Sequence, residues 1–202
     1  MKKRSVREEK AIQTRGRLLQ AAEDVFIEQG FVKTTISQII KHAGLGYGTA
    51  YVYFRNKDEL FIELVDELMD AFYEVGERSF TPASTKEAAG SIREQVELFL
   101  TLAQKESRLM SVLKEARGSS EVIDEKWNEI RERFIKSITK DITFAQTNGL
   151  ASPRLDAALI ARGWFYANEM FMWECVTGEC RHSIKQLSEQ LTELYMNGLY
   201  RS

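Results

Sequence analysis

Thr35-Ile36-Ser37-Gln38-Ile39-Ile40-Lys41-His42-Ala43-Gly44-Leu45-Gly46-Tyr47-Gly48-Thr49-Ala50-Tyr51-Val52-Tyr53-Phe54 is the stretch that decides the fold. Its first half places Ile36, Ile39, Ile40 and Ala43 at helical spacing, with Thr34 or Thr35 in front as an N-cap. Gly44-Leu45-Gly46 then interrupts. A glycine at 44 accepts the positive φ that lets the chain leave one helix and enter the next at a steep angle. Tyr47 to about Phe54 predicts a second short helix. Two short helices around a three-residue turn form a helix-turn-helix, whose second helix must fit the ~12 Å major groove of DNA. Ala50 and Phe54 are expected to face the core with Ile36, Ile39 and Ile40, and Leu45 to plug the corner. Tyr47, Gly48, Thr49, Tyr51 and Tyr53 are left on or near the groove side. Hydroxyls of Thr and Tyr suit phosphate oxygens, and aromatic or methyl edges suit thymine methyls. Packing alone is the alternative reading for Tyr51 and Tyr53. Lys57 adds a cation at the start of the next helix, where backbone amides already favour an anion.

Outward from this stretch the pattern stays helical, with no bounded run of apolar and polar alternation that would mark a strand. A first helix is predicted from about Lys10 to Gln29, ended by Gly30. Asn56 can cap a fourth helix from Lys57 or Asp58 to about Glu77. Thr85 can cap a helix to about Gln104, followed by helices near Leu109–Ala116 and Val122–Gln146. Ser152 as N-cap with Pro153 at the first turn predicts a helix to about Gly178. A last helix spans about Ser183 to Tyr200. The expectation is an all-α chain of about nine helices, divided into an N-terminal three-helix domain at 1–56 and a larger helical domain at 57–202.

Charge follows the same division. The 202 residues carry a net charge of −2, but residues 1–60 hold eleven Lys/Arg against seven Asp/Glu, and residues 61–202 hold seventeen against twenty-three. A basic head on an acidic body suits an anionic partner. A solvated tail is the alternative, since Lys2, Lys3, Arg4, Arg7 and Lys10 supply much of the excess. The two cysteines, Cys175 and Cys180, are too few for a disulfide scaffold or a zinc site and read as reduced thiols. No apolar run spans a bilayer and no signal peptide follows Met1, so a soluble, cytoplasmic protein without membrane contact is expected. Gly44-x-Gly46-x-Gly48 lacks both the preceding strand and the spacing of a dinucleotide loop. His42 and His182 are far apart and have no partner at ligand spacing. Neither an enzyme nor a cofactor or metal is expected.

The segment Thr34 to Leu60, with Ala43-Gly44, Gly48-Thr49, Tyr51-Val52-Tyr53-Phe54 and Lys57-Asp58-Glu59-Leu60 in register, resembles the DNA-binding signature of TetR-family transcriptional regulators. Ala21-Ala22 through Phe26-Ile27-Glu28-Gln29-Gly30-Phe31 resembles the end of that family's first helix. The resemblance covers roughly residues 15–65. Gly46 departs from the usual Ser/Thr cap and Ala50 from a common leucine. The resemblance implies a helix-turn-helix domain on double-stranded operator DNA and a second domain that dimerises and binds a small effector. It implies phosphate contacts for Thr35, Tyr51, Tyr53 and Lys57, and base contacts for Tyr47, Gly48 and Thr49. It also implies a repressor released when effector binding shifts the fourth helix.

The larger domain carries two further signals. The helix ending near Gly178 is apolar nearly all round in its second half, and the last helix has one clean apolar stripe. These two helices are the expected homodimer surface, with closure of a monomeric core as the alternative. Phe99, Trp127, Phe134, Trp164, Asn168, Phe171 and Met172 are the candidate lining of a largely apolar effector pocket, with ordinary packing as the alternative. Asn168 and Glu169 interrupt the apolar helix and need a partner: ligand, neighbouring subunit or water. A helical ligand-binding protein that does not hold an operator is the competing functional reading.

Overall fold

The computed structural model describes residues 5–199, and among them there are nine α-helices and no strand. Lys2, Lys3, Arg4 and Tyr200, named above, lie outside the described residues. No helix among the described residues is long and apolar enough to cross a membrane.

α1 (Val6–Gln29) starts earlier than periodicity predicts, because Ser5 and Glu8 form a reciprocal capping box that satisfies two otherwise free amides. Gly30 ends it at φ 79° and donates its amide to Phe26 O at 2.9 Å. α2 (Ile36–His42) is capped by Thr35, whose hydroxyl accepts from the Gln38 amide. The buried Thr34 donates to Gly30 O instead. Gly44 turns the corner at φ 62°, and Arg17 from α1 donates to the Ala43 carbonyl at 2.7 Å beside it. α3 (Tyr47–Ala50) is a single turn, shorter than the predicted span to Phe54. Gly46 offers no side-chain cap, and Tyr51-Val52-Tyr53 continues as turns. α4 (Lys57–Gly76) starts on Asn56, whose Oδ1 accepts from the Glu59 amide at 2.8 Å.

α5 (Thr85–Lys105) is capped by Ser84, one residue ahead of the expected Thr85. α6 (Ser107–Arg117) and α7 (Glu121–Thr147) follow. α8 (Ala157–Thr177) begins after the Ser152-Pro153 pair, and Asp156 is its cap. The physical reason is Gln146. Its amide donates to Ser152 O and Leu155 O, both at 2.8 Å, and holds that segment out of the helix. Gly178 closes α8 in the left-handed region at φ 74°, and Ser183 caps α9 (Ile184–Leu199).

The helices form two compact units. The first runs to Leu68 and adds Ser111–Lys126, so it reaches beyond the 1–56 expected from sequence. The reason is packing. Phe61 of α4 meets Phe26 edge-on at 4.9 Å between ring centres and Phe31 at 5.2 Å. Leu18, Ala22, Ile39, Ile40 and Leu60 are buried in the same core. The second unit takes residues 69–110 and those from 127 on, with α5 packed on α8 and α9.

Candidate nucleic-acid interface and apolar cavity

In the first unit, Ala50 and Phe54 are buried, as their spacing predicts, and this turns the rest of the α3 segment outward. Tyr47, Gly48, Thr49 and Tyr51 are exposed, and Tyr53 is half-buried. Val52 is 78% exposed and escapes the hydroxyl-based reading altogether. A Cβ placed on Gly48 would meet none of the described residues within 4 Å, so their packing does not call for glycine there. Thr35 is exposed, but its hydroxyl already accepts from the Gln38 amide and donates to Gln38 Oε1 at 2.8 Å. Tyr47, Thr49 and Tyr51 are therefore exposed on the same short segment whose Ala50 and Phe54 are buried.

Lys57 sits differently from its expectation. Its ammonium donates to Phe31 O at 2.7 Å, Thr34 O at 3.0 Å and Val32 O at 3.4 Å, and lies 4.2 Å from the Phe31 ring centre. A lysine has three donors and no more. With all three turned to carbonyls, none is left for the expected phosphate contact unless one of these bonds breaks. The same loop is also held by Glu115 of α6, whose carboxylate accepts the Phe31 and Val32 amides at 3.1 Å each. Neither long-range contact has a signature in the local sequence.

In the second unit, a cavity of about 60 Å³ is lined by Phe99, Phe134, Trp164 and Asn168 from the expected set. Val75, Gly76, Ile92, Gln95, Val96, Ile138 and Phe165 complete the lining. Trp127, Phe171 and Met172 are not part of it. Met172 is buried one turn beyond Asn168 on α8, and Phe171 is half-buried. Trp127 turns to Glu169 and donates its indole N–H to Oε1 at 2.7 Å. Glu169 also accepts from Trp173 Nε1 at 3.1 Å and from Arg131 at 2.8 to 3.0 Å. Its partner is therefore a set of groups on α7 and α8 of the same chain, a contact the sequence left open.

The cavity walls are aromatic and close-fitting. Phe134 stacks on Phe165 at 5.8 Å and meets Phe99 edge-on at 5.9 Å. A Cβ at Gly76 would lie 2.5 Å from Phe134 Cε1, so only glycine admits that ring. The last carbonyls of α4, which no helical amide reaches, are taken by side chains of neighbouring helices. Gln95 donates to Val75 O at 3.0 Å and Ser137 to Gly76 O at 3.1 Å. Asn168 donates its Nδ2 to Trp164 O at 2.8 Å, while its Oδ1 is buried with no partner among the described residues.

Comparison with known proteins follows the same division. Residues 18–64 match the family described as bacterial regulatory proteins, tetR family, and residues 92–201 match the C-terminal domain of the transcriptional regulator EthR. The chain is similar to a fatty acid metabolism regulator protein of Bacillus subtilis, 27% identical over 184 residues that cover 91% of this chain and 94% of the other. It is also similar to the HTH-type transcriptional regulator EthR of Mycolicibacterium smegmatis, 24% identical over 187 residues covering 91% and 84%. SmeT, the repressor of the Stenotrophomonas maltophilia multidrug efflux pump SmeDEF, shares the fold at a TM-score of 0.75 and 19% identity, covering 93% of this chain and 91% of that one. The chain belongs to the TetR family of DNA-binding transcriptional regulators.

Proposed function

We propose that the protein is a cytoplasmic, homodimeric repressor that leaves its operator when a small, largely apolar effector enters the cavity of the second unit. The observation that carries this reading is the exposed tip of Tyr47, Gly48, Thr49 and Tyr51, backed by buried Ala50 and Phe54. Hydroxyls on a protruding turn suit phosphates and base edges, and the open space around Gly48 suits close approach of another molecule's surface. Tyr47, Gly48 and Thr49 approach bases, and Tyr51 and Tyr53 approach phosphates. Thr35 reaches a phosphate through the hydroxyl that also caps α2.

One such unit contacts few base pairs, so two copies are needed on half-sites about 34 Å apart. Leu159, Tyr166 and Met170 on α8 and Leu194 on α9 are exposed apolar residues, and a second copy of these helices covers them. The effector site is the aromatic cavity. At about 60 Å³ it is far smaller than a typical ligand pocket, so an effector must push its rings apart. Val75 and Gly76, at the C-terminal end of α4, line it, and Lys57 begins the same helix. Movement at one end of α4 is thus passed along a continuous helix to the loop that Lys57 holds. The name of the Bacillus subtilis relative, a fatty acid metabolism regulator, agrees with a lipophilic effector.

A mobility-shift assay with duplex DNA from upstream of the protein's own coding sequence tests the reading. A retarded band at low salt, with two chains per symmetric site, is expected. No band at low salt overturns the operator-binding role and favours a helical ligand-binding protein.

A further inference from the structure

We propose that the cavity selects an uncharged effector carrying a hydrogen-bond donor, and that Asn168 Oδ1 is the acceptor that recognises it. This rests on the reading of the cavity as the effector site and names the chemistry of what enters.

The argument starts from the orientation of one amide. Asn168 is 7% exposed and lines the cavity. Its Nδ2 donates to the Trp164 carbonyl one helical turn back, at 2.8 Å. Rotating the amide by half a turn would set Oδ1 against that carbonyl, two acceptors facing each other. The amide is therefore fixed with its oxygen away from Trp164, and that oxygen has no donor among the described residues. A buried acceptor without a donor is unfavourable, and a ligand that supplies the donor recovers the loss.

The remaining lining decides the ligand's charge. Among the described residues, no Lys, Arg or His borders the cavity. The other amide, Gln95, has its Nε2 turned to the Val75 carbonyl. The described lining therefore offers a carboxylate no cation to pair with. An anion would lose its water and meet the Asn168 oxygen among phenylalanine rings. A phenol or alcohol meets the opposite conditions: a donor for Oδ1 and an apolar body for Phe99, Phe134 and Phe165. An ether of the same shape fills the space equally but leaves the acceptor unmet.

Three probes of matched shape separate these cases on the full chain: 4-propylphenol, 4-propylanisole and 4-propylbenzoate at pH 8, titrated by calorimetry. The phenol is expected to bind about tenfold tighter than the methyl ether, with the benzoate weakest. In Asn168→Leu, whose folding is checked by circular dichroism, the preference for phenol over ether shrinks to within about twofold while the ether still binds. Equal binding of phenol and ether by the unaltered protein overturns the inference without needing any variant. So does a benzoate that binds tightest, or a phenol preference that survives Asn168→Leu. If none of the three binds, the effector reading of the cavity falls and this inference falls with it.

Discussion

Lys57 and Phe31 are joined twice: the ammonium donates to the Phe31 carbonyl at 2.7 Å and lies 4.2 Å from the centre of the Phe31 ring. Together with its bonds to Thr34 O and Val32 O, this makes Lys57 a tie between the start of α4 and the loop that leads into α2. Lys57→Met keeps a stem over the ring but removes the charged donors. It is expected to destabilise the chain by about 2 kcal/mol, the scale of a charge-assisted hydrogen bond, in urea unfolding. The salt dependence of DNA binding should stay unchanged. A slope that falls by about one would instead put the ammonium on a phosphate.

Gly48 separates stability from DNA contact. None of the described residues lies within 4 Å of a Cβ there, and its φ lies outside the left-handed region. Gly48→Ala is expected to leave the urea midpoint unchanged or raise stability by about 0.5 kcal/mol through helix propensity. The same methyl stands on the exposed tip, so DNA affinity should fall in a mobility-shift assay. Retained affinity would remove Gly48 from the interface. Tyr47→Phe should alter sequence preference, whereas Tyr53→Phe should weaken binding to all sequences alike.

What the sequence revealed and what it concealed follow from the range of each interaction. The α2–turn–α3 segment was readable because its decisive features are local: isoleucines at helical spacing, Gly44 at φ 62°, and Ala50 and Phe54 one turn apart. The exposure of Tyr47 and Tyr51 follows from the burial of those two. The Ser5-x-x-Glu8 capping box that starts α1 is equally local, since its two partners lie three residues apart. The start of α8 was misplaced because Ser152-Pro153 is a good local cap that Gln146 overrides through space. The roles of Lys57 and Glu115 depend on contacts 26 and 84 residues apart, which no periodicity encodes. Trp127 looked like a pocket residue because an aromatic at a core position does not announce whether its N–H has a buried partner.

That partner sets the cost of removing Glu169. The carboxylate is buried, and Arg131, Trp127 and Trp173 all donate to it. Glu169→Ala leaves a guanidinium and two indole N–H groups facing a gap between α7 and α8. A loss of about 3 kcal/mol is expected, measured by denaturant unfolding. Glu169→Gln keeps an acceptor for the indoles and should lose less. Equal losses for both would show that the charge on residue 169 contributes nothing beyond the hydrogen bonds.

Asp141 of α7 gives the stability of the chain a pH dependence opposite in sign to that of its paired carboxylates. Burial pushes the Asp141 carboxyl up from 3.8 to about 7, and neighbouring Lys140 offsets only part of the effect. The unfolded chain releases this proton near pH 4 and the folded chain near pH 7, so the folded state binds more protons in between. The contribution of Asp141 to stability is therefore greatest below about pH 4 and declines as pH rises through 7. Because the carboxyl is only partly buried, solvent screening reduces the total fall to about 1–2 kcal/mol. Glu77 acts in the other direction: its hydrogen bonds to Arg133, at 2.5 and 2.8 Å, hold its carboxyl below the usual range, so its contribution is lost in acid. Asp141→Asn isolates the first effect. The variant should match the unaltered protein near pH 4 and exceed it in stability at pH 8, in paired urea titrations. A difference that is flat across pH would mean that the Asp141 carboxyl titrates alike in the folded and unfolded chain.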